Sequence, residues 1–554
     1  MFTNRKITGL YKEFAVPLWI GILLLASATA VIYLPWLGSE RELFRNESLH
    51  AVIAQEFSVS SPLPTAHHVQ QLSEGIIHQA ASAFLHRISG LDPVCSLRTI
   101  SFIMLLLTAI LAGLGVPSRS RRARLAAAAV VVSTLLAIDK SCEGYPATTS
   151  AFFLLAAQLA FFYYGIRKAN WNMAWLTSAA LITLAFFSGG FRLLIYFIFP
   201  MLFFRRPLSV KSKFRKAGFV AAVLILSFIV SGYLLQFSFN TGKTVLSELL
   251  DAGFQSSEYW QEVLSFPLML PVRLMPWTFI LWLPFCVALQ AIDQTPIYSR
   301  YLRTLTFSTL LLLWLLPHHD AREMIYLIGP LAIQMGIFYD AGTRRYGNRI
   351  RKMLIIGEFI ILLQLCAFVC VFLLPENVIG SLISISSSLD FRNSNIFRIE
   401  LFSALACCTA LGIFFCCGRR SAPLWLLLLT LSLTTGLFYG SVIKPYRSQD
   451  KRKRQLAADI KNVLKNENTS KLYKCDIKGF YGGLFYTGIP VYQLNNVSEL
   501  PENAETVYLI STEFPQTLDR KWSNLLPPNY TYQKEKIHLW KGVLKENSEL
   551  NFDH

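Results

Sequence analysis

The sequence has little charge. Asp, Glu, Lys and Arg make up 16% of its 554 residues, against about 25% in a soluble globular domain. Acidic residues are the scarcer kind, 34 against 52 Lys and Arg, for a net charge of +18. A P-loop, a dinucleotide-binding fingerprint and a nucleophile elbow are all missing, which sets aside the common nucleotide-dependent enzymes and the α/β-hydrolases. No repeat of about 20–50 residues is present, so solenoids and propellers are set aside too. Cysteine builds no framework either. Cys286, Cys366, Cys370, Cys407, Cys408, Cys416 and Cys417 lie in or beside apolar runs, where they serve as small hydrophobes. Cys407-Cys408 and Cys416-Cys417 lack zinc-ribbon spacing, and only Cys95, Cys142 and Cys475 are expected to face the outer side. What fills the chain is apolar. With 53% hydrophobic residues and a mean hydropathy of +0.42, it is not a conventional cytosolic enzyme.

A helix needs about 20 mostly apolar residues to cross the hydrocarbon core. Runs of that kind occupy 15–37, 96–117, 125–138, 148–166, 173–189, 191–204 and 217–236. They continue at 274–291, 304–317, 324–339, 353–374, 399–417 and 422–443. The expectation is an α-helical polytopic membrane protein of about thirteen transmembrane helices over residues 1–443. Ala26-Ser27-Ala28 resembles a signal-peptide cleavage site, but the first run continues through Val31 to Trp36, which suits an anchor with an aromatic belt.

The basic residues alternate by side. With the N-terminus in the cytoplasm, one set of loops holds Arg5, Lys6 and Lys12; Arg119, Arg121, Arg122 and Arg124; and Arg167 and Lys168. The same side continues with Arg205 to Lys216, Arg300 and Arg303, Arg344 to Lys352, and Arg419 with Arg420. The opposite loops, 38–95, 238–273 and 375–398, are long and acidic or mixed. The surplus charge is therefore an orientation signal, and a nucleic-acid partner is disfavoured. An odd span count puts the tail, 444–554, outside. There a helical pattern (Leu456, Ile460, Val463, Leu464) gives way to strand-like runs at 471–477, 506–510 and 537–544, as expected of a small α/β domain. Lys451-Arg452-Lys453-Arg454 fits either a cytoplasmic tail with an even count or an outer tail lying against anionic headgroups.

The first outer loop, 38–95, carries the most informative pattern. Leu49, Val52, Ile53 and Phe57 recur at helical spacing with Glu42, Glu47 and Glu56 elsewhere on the surface, as in an amphipathic interfacial helix. Asn46-Glu47, His50 and Ala54-Gln55-Glu56-Phe57 together resemble the first outer loop of polytopic C-type glycosyltransferases. The similar group is the bacterial aminoarabinose transferases and protein-mannosyltransferases. Further stretches resemble that group in order: Gly90-Leu91-Asp92-Pro93 with Leu97-Arg98, Ser188-Gly189-Gly190 with Arg192, Pro276-Trp277, and Pro317-His318-His319-Asp320-Ala321-Arg322 followed by Tyr326-Leu327 and Pro330. The chain departs from the pattern at Ser188, where the group has Lys, at Pro64–Gln70, and in 238–273, which has no counterpart of the group's seventh-loop histidine.

The resemblance implies a glycosyltransferase domain over 1–443 and a periplasmic tail domain over 444–554, in a bacterial inner membrane. It implies transfer from a polyprenyl-phosphate-linked sugar donor to a lipid, glycan or protein acceptor, with membrane lipids as surroundings. In that reaction a carboxylate deprotonates the acceptor and fixed cations stabilise the departing phosphate. Glu47 is the implied base, and Arg322, Arg192 and Arg273 are the implied phosphate ligands. Glu143, Asp139 and Glu56 are supporting or acceptor-binding candidates. No cofactor is required, although His318 and His319 leave a divalent metal ion open. Plainer readings stand beside these: Arg192 and Arg273 as headgroup anchors, Arg322 in a local pair with Glu323, and Asp139-Lys140 with Glu143 as a solvated turn. A lipid-linked-glycan flippase or other transporter, and an oligosaccharide ligase or polymerase, are the competing classes.

Overall fold

The computed structural model describes residues 18–38, 43, 45–59, 75–118, 120–204, 210–241, 257–316, 322–373, 424–438 and, with short breaks, 452–544. These fall into two units, one of Met1–Gly38 with Arg98–Gln449 and one of Ser39–Leu97 with Asp450–His554. The helices run α1 (Leu18–Tyr33), α2 (Arg45–Val59), α3 (Ile76–Ser89), α4 (Pro93–Gly115), α5 (Arg121–Ser133), α6 (Leu135–Lys140) and α7 (Ala147–Phe161). They continue as α8 (Trp171–Gly189), α9 (Arg192–Leu202), α10 (Ala217–Thr241), α11 (Ser257–Arg273), α12 (Pro296–Leu315), α13 (Ile325–Leu373), α14 (Leu424–Phe438) and α15 (Arg452–Asn466).

Among the described residues four helical segments are long and apolar enough to cross a bilayer: Trp19–Trp36, Pro93–Gly115, Ala147–Arg167 and Trp171–Gly189. A fifth candidate is the pair Tyr259–Arg273 and Trp277–Phe285, bent by 95°. Several predicted spans thus take other forms. The run 274–291 is not one helix: Pro276 and Pro284 interrupt it, leaving short 3-10 turns at Trp277–Phe279 and Leu283–Phe285. The run 125–138 breaks at Thr134, whose extended backbone separates α5 from α6. There the Leu135 amide donates to the Met275 carbonyl at 2.8 Å, so the exposed backbone group finds a partner from another segment. The run 191–204 shortens to the eleven residues of α9. The runs 324–339 and 353–374 join in one 49-residue helix, α13. The basic cluster expected in a loop between them lies on that helix instead. Thr343, Ile350 and Leu354 are buried there while Arg344, Arg345, Arg349 and Lys352 are exposed. Gly342 serves packing and not a turn, since a Cβ there would stand 2.8 Å from Leu283. The run 399–417 lies outside the described residues.

Within this unit several polar groups at depth find partners on other helices. The Tyr33 hydroxyl donates to the Val132 carbonyl at 2.7 Å, and the Tyr301 hydroxyl to the Gln158 carbonyl at 2.7 Å. Trp277 donates its indole N–H to the Ser133 hydroxyl at 2.8 Å. Glu358 of α13 accepts hydroxyl hydrogens from Thr430 and Thr434 of α14 at 2.7 and 3.2 Å. Such bonds answer the cost of a buried polar group in hydrocarbon. Arg98, with no exposed surface, donates to the Gly38 carbonyl in the segment after α1.

In the second unit α2 and α3 pack together, and α3 closes on Gly90 in the left-handed region (φ 66°), whose amide donates to His86. The tail contributes a five-stranded sheet in the order β2 (Val491–Gln493), β1 (Leu472–Lys474), β3 (Thr506–Ser511), β7 (His538–Leu544), β4 (Arg520–Asn524). β1 runs parallel to β2 and β3, and β7 is antiparallel to β3 and β4. A two-stranded ribbon pairs β5 (Thr531–Tyr532) with β6 (Glu535–Lys536). One sheet face is covered by α15, through Leu456, Ile460 and Leu464 against Leu472, Ile510 and Leu539. The alternation that makes residues of β7 face opposite ways puts Leu539 on that side and Trp540 on the other.

Close backbone packing yields a stability test. At Gly336 of α13 a Cβ would lie 2.5 Å from Val116 and 2.8 Å from the Ala123 carbonyl, whereas nothing stands within 4 Å of Gly232 in α10. Gly336→Ala is expected to destabilise the protein by about 1–3 kcal/mol through overpacking. Gly232→Ala is expected to be neutral or stabilising through helix propensity. Thermal unfolding of the two variants in detergent measures the contrast.

Candidate functional site

Most of the candidate residues of the membrane unit converge on one group of ion pairs. Arg322 stands just before α13, and its Nε donates to Glu143 Oε2 at 2.8 Å. Both side chains are buried, at 9% and 2% exposure. The guanidinium also lies over the Tyr145 ring, 4.3 Å from its centroid. Glu143 in turn accepts from Lys140 Nζ at 3.1 Å, and Lys140 reaches Asp139 at 3.2 Å. The next residue after Arg322 opens a second pair. Glu323 Oε1 accepts from Arg192 Nη1 at 2.7 Å, and its Oε2 accepts from the Tyr196 hydroxyl at 3.1 Å. Tyr196 stands edge-on to Tyr326, with centroids 5.3 Å apart.

The local sequence explains this arrangement. Carbonyls of Arg322 and Glu323 accept the first amides of α13, from Ile325 and Tyr326. A carboxylate at a helix start is favoured by the helix dipole, and a cation there is not. Glu323 gains from its place, and Arg322 is held by a carboxylate from elsewhere. Adjacency of the two suggested a local pair; the structure sends each to a partner more than a hundred residues away in sequence, Arg322 to Glu143 and Glu323 to Arg192. The solvated turn suggested for Asp139-Lys140 with Glu143 is likewise corrected. Glu143 is 2% exposed because Arg322 and Lys140 replace its water. Three carboxylates thus face three cations. Arg192 is paired, not a simple headgroup anchor. Arg273 ends α11 in its last turn, where the dipole favours a cation.

The second unit holds Glu47. It lies in the first turn of α2, fully buried, with Ser48 and His50 beside it at 1% and 3% exposure. Gln79 of α3 donates its amide N–H to His50 Nδ1 at 2.7 Å, so the ring proton of neutral His50 lies on Nε2. Gly75, in the left-handed region at φ 96°, permits this contact: a Cβ there would stand 2.9 Å from Gln79 Nε2 and 3.1 Å from His50 Nδ1. His78 is completely buried, which pushes its imidazole down to about 3 and keeps it neutral.

The side chain of Glu56 and residues His318 and His319 lie outside the described residues. Among the described residues no group of three His, Cys, Asp or Glu side chains is placed to hold a metal ion. Sequence reasoning missed the part of Glu323, which it took only as a neighbour of Arg322, and the buried His78–Gln79 pair of α3. The available signal was a pair of consecutive polar residues, His78-Gln79, inside the mostly apolar stretch 76–85.

No family model and no curated protein sequence matches the chain. Solved structures do share its fold. ArnT from Cupriavidus metallidurans bound to undecaprenyl phosphate is similar at a TM-score of 0.63 and 14% identity, covering 95% of this chain and 98% of that one. The apo state of ArnT from the same organism is similar at a TM-score of 0.61 and 15% identity, covering 89% of this chain and 92% of that one. The fold expected from the outer-loop motifs, that of the C-type glycosyltransferases, is the fold of this chain.

Two outcomes follow from the buried groups. Arg322→Met is expected to cost about 3–5 kcal/mol by leaving a buried carboxylate uncompensated, and adding Glu143→Gln to recover most of it. Thermal unfolding of the single and double variants measures this. His78 is charged in the unfolded chain below its ordinary value of 6.5, but in the folded protein only near 3. Protons therefore favour the unfolded state in that window, and stability falls as pH drops from about 6.5 toward 3. His78→Gln is expected to flatten the fall in Tm between pH 7 and about pH 4; an unchanged slope assigns the acid sensitivity to other groups.

Proposed function

We propose that the chain is a membrane glycosyltransferase that moves a sugar from a polyprenyl-phosphate donor to a hydroxyl or phosphate of a lipid, glycan or protein acceptor. The observation that carries this reading is the fold, shared over nearly the whole length with a protein whose structure holds undecaprenyl phosphate. The outer-loop motifs support it independently of the fold, since they rest on residue types and order alone.

The donor already carries its leaving group. Catalysis then needs a base for the acceptor and cations for the phosphate charge that develops as the anomeric bond breaks. Glu47 is the proposed base, in a setting whose burial keeps water from the carboxylate. Arg322 and Arg192 are the proposed phosphate ligands, each braced by a carboxylate. A guanidinium has five N–H donors in a fixed fork, so it can hold a bracing carboxylate and a phosphate together. Arg273 is a third proposed phosphate ligand. Asp139 and Glu143 act in this scheme by holding Lys140 and Arg322. Direct attack by the acceptor oxygen inverts the anomeric carbon.

The proposed setting is the bacterial inner membrane, with the N-terminus cytoplasmic and the tail periplasmic. The composition of the second unit supports the tail's side. Residues of the first loop and of the tail share one buried cluster, Leu43, Ala51, Ala54, Val94 and Leu97 with Phe485 and Tyr486. Segments packed together this way lie on one face of a membrane, which requires an even number of crossings between residues 97 and 450. The basic stretch that opens α15 fits an outer tail, since its Arg454 lies over the Tyr486 ring of the same unit at 5.0 Å.

Turnover in proteoliposomes supplied with undecaprenyl-phosphate-linked sugars tests the assignment. Glu47→Gln is expected to reduce transfer by at least about a hundredfold, the scale of general-base catalysis, without unfolding the protein. Arg322→Ala is expected to impair donor use far more than Arg300→Ala on α12. Wild-type turnover by Glu47→Gln sinks the base assignment, and equal effects of the two arginine variants remove Arg322 from the donor site.

A further inference from the structure

We infer that Tyr486, in the C-terminal domain, is a positioning residue for the proposed base Glu47; the inference rests on the glycosyltransferase reading. The two residues belong to the same structural unit although 439 positions separate them in the chain. Their link is Leu43. Its backbone amide donates to the Tyr486 hydroxyl at 3.0 Å, four residues before Glu47 and just ahead of the first turn of α2. A backbone amide ahead of a helix has no partner inside that helix, so the donor needs one from outside. Here the partner is a side chain of the tail.

The packing runs the same way. Glu47, Ala51 and Ala54 recur at i, i+4 and i+7 and therefore share one stripe of α2. All three are buried, at 0%, 0% and 3% exposure. Phe485 and Tyr486 pack on the cluster that contains Ala51, Ala54 and Leu43. The tail aromatics thus cover the stripe that carries the carboxylate, beginning one turn beyond it. Tyr486 is itself held from two sides. Phe485 stands edge-on to it at 5.5 Å, and the Arg454 guanidinium of α15 lies over its ring at 5.0 Å. The amide of Gly488, in the left-handed region at φ 66°, turns back to the Phe485 carbonyl at 3.3 Å. A hydroxyl on a ring fixed in this way sets the position of Leu43, and through it where the first turn of α2 begins. A misplacement of about 1 Å at a reacting group costs up to about a hundredfold in rate, so this lever suffices to matter for turnover.

The test compares the full-length protein with Tyr486→Phe, which keeps the ring and removes only the hydroxyl, and with Tyr486→Leu, which removes both the ring and the hydroxyl. Steady-state transfer in proteoliposomes and deuterium uptake by peptides spanning 43–54 are measured on each. Tyr486→Phe is expected to lower kcat by about tenfold with donor KM within about twofold, because the phosphate ligands are untouched. Uptake at 43–54 is expected to rise while uptake across the sheet strands stays at the wild-type level. Tyr486→Leu is expected to exceed both effects. An unchanged kcat in both variants overturns the inference, as does a loss of kcat accompanied by raised uptake throughout the tail, which is a folding role. Should the wild-type protein transfer no sugar, the glycosyltransferase reading fails by itself. The uptake arm still decides the latch then, and unchanged uptake at 43–54 in Tyr486→Phe overturns it.

Discussion

A charge withdrawn from water must meet an opposite charge, and the pair Arg322–Glu143 is where this constraint organises the membrane unit. Each side chain alone would cost several kcal/mol to bury. Joined at 2.8 Å, they tie the turn after α6 to the start of α13. Lys140 and Asp139 extend the pairing on one side. Glu323, next in the chain, extends it on the other through Arg192 and Tyr196. The starts of α9 and α13 and the turn after α6 are thereby held to one another by charge. In a unit where apolar surface gives helices little preference among neighbours, such polar bonds select the arrangement.

The same constraint shapes the backbone. Proline and extended residues break the predicted spans at Thr134 and around Pro276, and the two breaks meet each other, the Leu135 amide donating to the Met275 carbonyl. The basic run of 340–352 does the opposite of what its charge pattern suggested. It stays helical although it contains two glycines: Gly342 is small enough to meet Leu283, and the charged side chains line an exposed face. Sidedness of charge is a statement about the face a residue occupies, and a helix satisfies it as well as a loop.

The second unit joins the two least membrane-like stretches of the chain, the first outer loop and the tail. Its buried polar residues, Glu47, His50, His78 and Gln79, lie on two helices that neither hydropathy nor charge ties to a sheet four hundred residues later. The contact of Leu43 with Tyr486 makes the tail part of the frame around the carboxylate. The tail domain is thereby packed against the first outer loop as well as on its own sheet.

Read alone, the sequence determined the membrane class, the helical character and most of the elements of the tail. Those properties follow from composition and from periodicities of about 3.6 and 2, which are local and survive without any partner. It also singled out Glu47, Arg322, Arg192 and Glu143 as candidates, through their order and the side of the loops they occupy. Only the tertiary structure decided who pairs with whom. That Arg322 meets Glu143 and not its neighbour Glu323, that Glu323 meets Arg192, and that Leu43 meets Tyr486 are contacts across 179, 131 and 443 residues. Pairing at such separations depends on how helices stack, and stacking is set by shape and by the sum of many weak contacts that no single stretch of sequence records.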